Sequence, residues 1–209
     1  MKNLFLFFGE DTYSSSEKLS HWRIQFTKKY GDESIEIFDQ KSLNLPELAT
    51  NIEAIPFFSD KRMIIIKNFL KTGKAEEQKK LSEIIKNTPE FTILIFHEIH
   101  APDKRTSLYK QLKKLATVEE FPKLSDNQIA TWITKRAKIS FGNANYLGQI
   151  CNHNLWTIKN ELAKLNTYTQ NKEITKDVID KLTPPSLHSS IFALTDAISG
   201  RKRKEALKI

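Results

Sequence analysis

The sequence predicts an α/β fold, a parallel sheet flanked by helices, followed by a small all-helical domain. Three observations carry this expectation. From residue 3 to about 121, short apolar runs alternate with helical patterns, the rhythm of strands joined by helical crossovers. Two of those runs, 63–66 and 92–96, are almost wholly apolar, as strands covered on both faces are. After Gly142 no strand pattern returns.

Strands are expected over 4–8, 34–38, 63–66, 92–96 and 118–121. Between the first two, Leu19, Trp22, Phe26 and Tyr30 make an apolar stripe at helical spacing, closed by Gly31 where a left-handed cap would fall. Further helices fit Leu45, Leu48, Ala49 and Ile52, then Leu81, Ile84 and Ile85 after a charged opening, then Leu108, Leu112 and Leu115. Each bridges two strands, as right-handed crossovers require. Ser125 and Gln128 form a capping box for the next helix. Its apolar side is Ile129, Trp132 and Ile133, and Lys135, Arg136 and Lys138 lie near its negative end.

The helical part contains the stripe Leu155, Ile158, Leu162, Leu165, and a helix from Thr175 with Ile174 and Ile179 placed as a hydrophobic staple. Pro184 and Pro185 break the chain, and Ile191, Leu194, Ala197 and Ile198 continue it to Gly200. The expected division is an α/β domain over 1–139, a helical domain over 140–199, and the start of a truncated third domain over 200–209.

The composition is that of a globular chain: 39% hydrophobic and 28% charged over 209 residues, enough for two modest cores. The longest apolar runs are far too short to cross a bilayer and no signal-peptide core follows Lys2, so a cytoplasmic location is expected. A single cysteine, Cys151, excludes an internal disulfide and is expected to be a packing residue. The formal net charge of +8 favours acidic partners, although widely spread lysines also keep a surface solvated.

One stretch poses a question. In AIPFFSDKRMIII, Pro56 stops a helix and Met63 opens a buried strand, which leaves Phe57 and Phe58 in the connection. Two large apolar side chains in a loop either close the bottom of the domain's own sheet or await a partner.

A second stretch resembles a phosphate loop by spacing alone. In the pattern G-x-x-x-x-G-K-[ST], Gly9 matches, but Ser14 replaces the second glycine, Ser15 the lysine, and Ser16 closes the pattern. Glu10 and Asp11 add negative charge, and Ser14 with Glu17 can cap the helix itself. The strand over 92–96 leads into His97 and Glu98 rather than into a pair of acids for magnesium. Either a nucleotide site has been lost or the spacing is chance, and both readings predict no ATP hydrolysis.

After Pro102, the helix carrying Leu108, Leu112 and Leu115 turns Lys110, Lys113 and Lys114 outward, with Lys104 and Arg105 at its start. This face suits phosphate tracking on DNA or simple solvation, and Arg105 also suits a subunit interface. The five histidines form no persuasive metal set, so no metal and no cofactor are expected. Trp22, Trp132 and Trp156 lie on helical patterns and read as core, and no catalytic triad can be singled out.

In order and spacing, LFFGEDTY, IPFFSDKRMIIIKN, TILIFHEIHAPDKRTSLYKQLKK, WITKRAK, NELAKLNTY with ITKDVIDKL, and IFALTDAISGRKRKEALKI resemble the delta subunit of the bacterial DNA polymerase III clamp loader. The resemblance implies an AAA+-like module without a nucleotide site, a helical lid domain, and a C-terminal collar domain of which only the start is present. It implies binding of the sliding clamp (the beta subunit) through Pro56, Phe57 and Phe58, and opening of the ring for primed DNA alongside other clamp-loader subunits. No intrinsic enzyme activity is implied; the chain would be part of a DNA-directed DNA polymerase holoenzyme, a nucleotidyltransferase by assembly. Two other readings stand beside it: a nucleotide-dependent α/β enzyme with an unconventional phosphate loop from Gly9 to Ser16, and a free-standing DNA-binding protein using the +8 charge.

Overall fold

Strands β1 (Leu4–Gly9), β2 (Ile35–Asp39), β3 (Arg62–Lys67), β4 (Thr92–Glu98) and β5 (Thr117–Phe121) lie where the apolar runs predict them. They form one parallel sheet in the order β2-β3-β4-β1-β5. The computed structural model describes residues 3–39, 43–57, 59–183 and 199–200.

Helices α1 (Thr12–Tyr30), α2 (Leu45–Glu53), α3 (Phe69–Thr72), α4 (Ala75–Ile84) and α5 (Ser107–Leu115) connect the strands. From β1 to β2 the chain moves one way across the sheet; from β2 through β3 to β4, and then past β1 to β5, it moves the other way. Right-handed crossovers then put α1 on one face and the remaining helices on the opposite face. The two cores have this division. Phe5, Phe7, Met63, Ile65 and Ile95 pack with Leu19, Trp22 and Phe26 of α1. On the other face, Leu6, Phe8, Ile64, Ile66, Leu94 and Phe96 pack with Leu48, Ile52, Leu81, Leu108 and Leu112. Trp22 meets Phe5 and Phe7 edge to face, at 4.7 and 5.3 Å between centroids.

The chain divides into two compact units, 1–123 and 124–209. In the second, α6 (Asp126–Thr134), α7 (Phe141–Ile150), α8 (Leu155–Thr169) and α9 (Lys176–Leu182) bury Ile129, Ile133, Leu147, Ile158, Leu162, Leu165, Ile174 and Ile179. The Ser125–Gln128 capping box is formed. The boundary falls before α6, not at 139, because the buried face of α6 lies against α7.

Four details depart from the sequence reading. Helices α3 and α7 were not anticipated as elements. Trp156 is 47% exposed rather than core. Gly31 closes α1 with positive φ, +86°, but with ψ at 157° it is not the left-handed cap, and its amide bonds the Thr27 carbonyl. The N-cap of α1 is Asp11, whose carboxylate accepts the Ser14 amide, while Glu17 accepts the Tyr13 hydroxyl instead of closing a box with Ser14. The helix expected around Ile191 to Ile198 and the segment 201–209 lie outside the described residues.

Gly9 has φ +144°, and a Cβ on it would meet the Phe121 carbonyl oxygen at 2.0 Å. Gly9→Ala is therefore expected to cost about 3 kcal/mol or more, read as a lower urea midpoint, because backbone on both sides blocks relief.

Candidate functional site

The strands of the parallel sheet have an amino end and a carboxyl end, and the sequence singles out one segment at each. At the amino-terminal end of β3, the connection from α2 begins when the Ala54 amide bonds the Thr50 carbonyl and Pro56 prevents further helix. The far end is fastened. The Ser59 hydroxyl lies 2.8 Å from the Ser34 hydroxyl and donates to the Lys61 carbonyl at 2.7 Å. The Arg62 guanidinium donates to the Asn51 carbonyl in α2 and faces Glu36 of β2 at 3.8 Å. Between these anchors Ile55 is 80% exposed and Phe57 is 91% exposed, the two most exposed large apolar side chains among the described residues. Pro56 is half-buried, and Phe58 lies outside the described residues. The loop thus displays Phe57 outward and adds Ile55, which the sequence reading passed over; its place just before a helix-stopping proline was the available signal.

At the carboxyl end of β1 and β4 the chain fills its own crevice. Gly9 serves the close approach of β5, and the Asp11 amide bonds the Phe121 carbonyl at 3.0 Å. The Ser14 amide, one of those a phosphate would need, is taken by the Asp11 carboxylate at 2.9 Å. Ser15 is fully buried; its hydroxyl donates to the Thr12 carbonyl and lies 3.2 Å from His97 Nε2. Ser16 is half-buried. A phosphate approaching this helix would meet a carboxylate and no side-chain cation from the loop.

The end of β4 is equally committed. Glu98 is buried and accepts the Phe69 and Leu70 amides at 2.7 and 2.9 Å, capping the short helix α3. The helix starts from Asn68 in a left-handed conformation, with φ 58°. Burial raises Glu98 to about 7 against the pull of those amides, and burial with the Lys67 charge lowers His97 to about 4. A carboxylate held by two backbone amides is poorly placed to hold magnesium.

Lys104 in the turn before α5, and Lys110, Lys113 and Lys114 on it, are exposed and form no salt bridge among the described residues. Arg105 is also exposed, but its Nε and Nη2 grip the Asp103 carboxylate at 3.0 and 2.9 Å, and this bonding holds Asp103 down at about 2. Its guanidinium fork is thus engaged, while the four lysines form no such pair among the described residues. Cys151 is buried, and burial raises its thiol to about 12, so it packs rather than reacts. Among the described residues no three His, Cys, Asp or Glu side chains converge, and no helix is long and apolar enough to cross a membrane.

The family described as DNA polymerase III, delta subunit, matches residues 5–121. The Bacillus subtilis protein DNA polymerase III subunit delta is 28% identical over 221 residues, covering 99% of this chain and 64% of the relative. The solved structure of the Bacillus subtilis DNA clamp loader delta protein (YqeN) is similar with a TM-score of 0.72 at 28% identity, covering 99% of this chain and 65% of that one. A RuvB variant of Thermotoga maritima shares the fold with a TM-score of 0.56 at 12% identity, over 85% of this chain and 60% of its own. The chain spans just under two thirds of the length of its two Bacillus relatives.

The filled crevice has a pH signature. Glu98 favours folding below its unfolded value of 4.5 and loses that contribution as pH rises through about 7. His97 does the reverse: its contribution is present above 6.5 and lost as pH falls through about 4. The two slopes oppose each other in the parent. Glu98→Gln leaves the histidine slope alone, so its stability relative to the parent should improve by up to about 3 kcal/mol between acid and neutral pH, and His97→Gln should show the opposite trend. Urea midpoints across that range check both signs.

Proposed function

The chain belongs to the DNA polymerase III delta-subunit family, and we propose that it acts as a clamp-loader delta subunit, docking on the sliding clamp through the 54–61 loop. The observation that carries this reading is the outward display of Ile55 and Phe57 on a loop fastened at both ends. Each large apolar side chain seated in a partner pocket contributes about 1.5 to 3 kcal/mol before the costs of association. Pro56 shapes the loop, and Phe57 with Phe58 supplies the wedge.

Ring opening then follows from differential binding. A chain that prefers the opened clamp interface shifts the equilibrium by the difference in its two affinities and by no more. Hydrolysis is unnecessary in this chain, since the helix behind Gly9 is capped by Asp11 and Ser15 is buried against His97. Nucleotide control belongs to other clamp-loader subunits, and polymerisation to another subunit of the holoenzyme. Primed DNA meets the assembled loader, with Lys104, Lys110, Lys113 and Lys114 as candidate phosphate contacts and Arg105 shared with Asp103. The reading carries with it a cytoplasmic location. The alternative of an α/β enzyme with an unconventional phosphate loop is disfavoured by the engaged Ser14 amide and the buried Ser15.

Phe57→Ala with Phe58→Ala is expected to leave the melting temperature unchanged and to weaken binding of the purified chain to the clamp about 30-fold or more. Surface-immobilised clamp without ATP is sufficient for the measurement. Retained affinity in the double variant counts against the loop as the docking element.

A further inference from the structure

We infer that the second unit carries a phosphate-binding cleft where α6 ends. A cavity of about 320 Å³ is lined by residues 134–138 together with Asn166 and Asn171. Three of these residues, Lys135, Arg136 and Lys138, are cations, and among the described residues no carboxylate lines the cavity.

Cations at the end of a helix ordinarily serve its unsatisfied carbonyls. Here amide groups and the Arg136 guanidinium already do so. The Thr131 carbonyl accepts the Lys135 amide, and the Ile133 carbonyl accepts the amides of Arg136 and Ala137 at 2.9 and 3.1 Å. The Trp132 carbonyl receives the Arg136 guanidinium, the Arg136 carbonyl receives the Asn166 side-chain amide, and the Lys138 carbonyl receives the Ile174 amide at 2.8 Å. The ammonium groups of Lys135 and Lys138 are therefore not consumed in capping, and neither forms a salt bridge among the described residues.

The cleft is also held in shape. A parallel bridge joins Ile139 to Ile174 just beyond the basic turn. The Arg136 guanidinium carbon sits 3.9 Å from the centre of the Trp132 ring, which keeps this cation beside the opening. On the facing side, Asn171 has φ 59° and its amide bonds the Asn166 carbonyl at 2.9 Å, so its side chain starts from a fixed backbone. Clustered cations with a neighbouring amide donor, on a turn with little freedom to collapse, suit a compact polyoxyanion. Phosphate is that group, offered either by a nucleic-acid strand or by a free polyphosphate. The assignment is independent of the loop at 54–61.

The full chain is titrated with a fluorescent oligothymidylate and, separately, with inorganic tripolyphosphate. The variants are Lys135→Gln with Lys138→Gln, and Lys135→Arg with Lys138→Arg. For a strand ligand, the glutamine variant should bind the oligonucleotide about five-fold or more weakly at low salt and lower the log-log salt slope by about 1.4, with the arginine variant close to the parent. For a free polyphosphate, the same loss appears with tripolyphosphate alone. Equal binding of both probes by the parent and the glutamine variant, or binding of neither probe by the parent, overturns the assignment.

Discussion

The structure depends on one constraint: a parallel sheet covered on both faces can accept polar groups only at the ends of its strands. Ile64, Ile65 and Ile66 of β3 and Leu94, Ile95 and Phe96 of β4 are all fully buried, so each strand interior is closed to chemistry. Whatever the first unit does must happen in the connections at its two edges. This separates the molecule into a carboxyl edge, where open α/β sheets ordinarily take their ligands, and an amino edge, where they ordinarily do not.

At the carboxyl edge the inward-facing polar groups are satisfied by one another. Asp11 caps α1, Glu98 caps α3, and His97 meets Ser15. Each arrangement uses a donor or acceptor that a bound nucleotide would require, and each removes the penalty of a buried unsatisfied group. The crevice is thereby part of the core rather than an open site. The lowered value of His97 and the raised value of Glu98 belong to the same filling, since burial disfavours the charged form of each.

Much of this was legible in the sequence, for identifiable reasons. The three central strands, β1, β3 and β4, were legible because strands covered on both faces have no polar alternation to confuse the reading, whereas β2 and β5 lie at the edges of the sheet and are only partly buried. Helix α3 was invisible because its four residues follow β3 directly and are held by a glutamate nearly thirty positions later in the chain. Helix α7 begins FGNAN and contains a second glycine, a composition with poor helix propensity that packing against α6 overrides. The same packing moved the domain boundary to 123. The N-cap of α1 is Asp11, three residues before the Ser14 that the sequence reading took for it, because aspartate and serine are both good caps and the reading counted Asp11 only as a charge. The outward direction of Phe57 was not legible from composition, because a loop phenylalanine and a core phenylalanine look alike until the structure shows which way the side chain faces.

Those anchors connect the fold to the proposed docking. A flexible loop carrying two apolar side chains would lose conformational entropy on binding, at about 0.5 to 1.5 kcal/mol for each side chain immobilised, and more for its backbone. Arg62 ties the start of β3 to the last turn of α2, and Ser59 ties the loop to the start of β2. The loop ends are therefore ordered when the sheet folds, before any partner arrives. In the proposed docking, binding energy spared in this way remains available for discriminating between two shapes of the partner. A rigid amino edge and a self-filled carboxyl edge are thus two consequences of the same buried sheet.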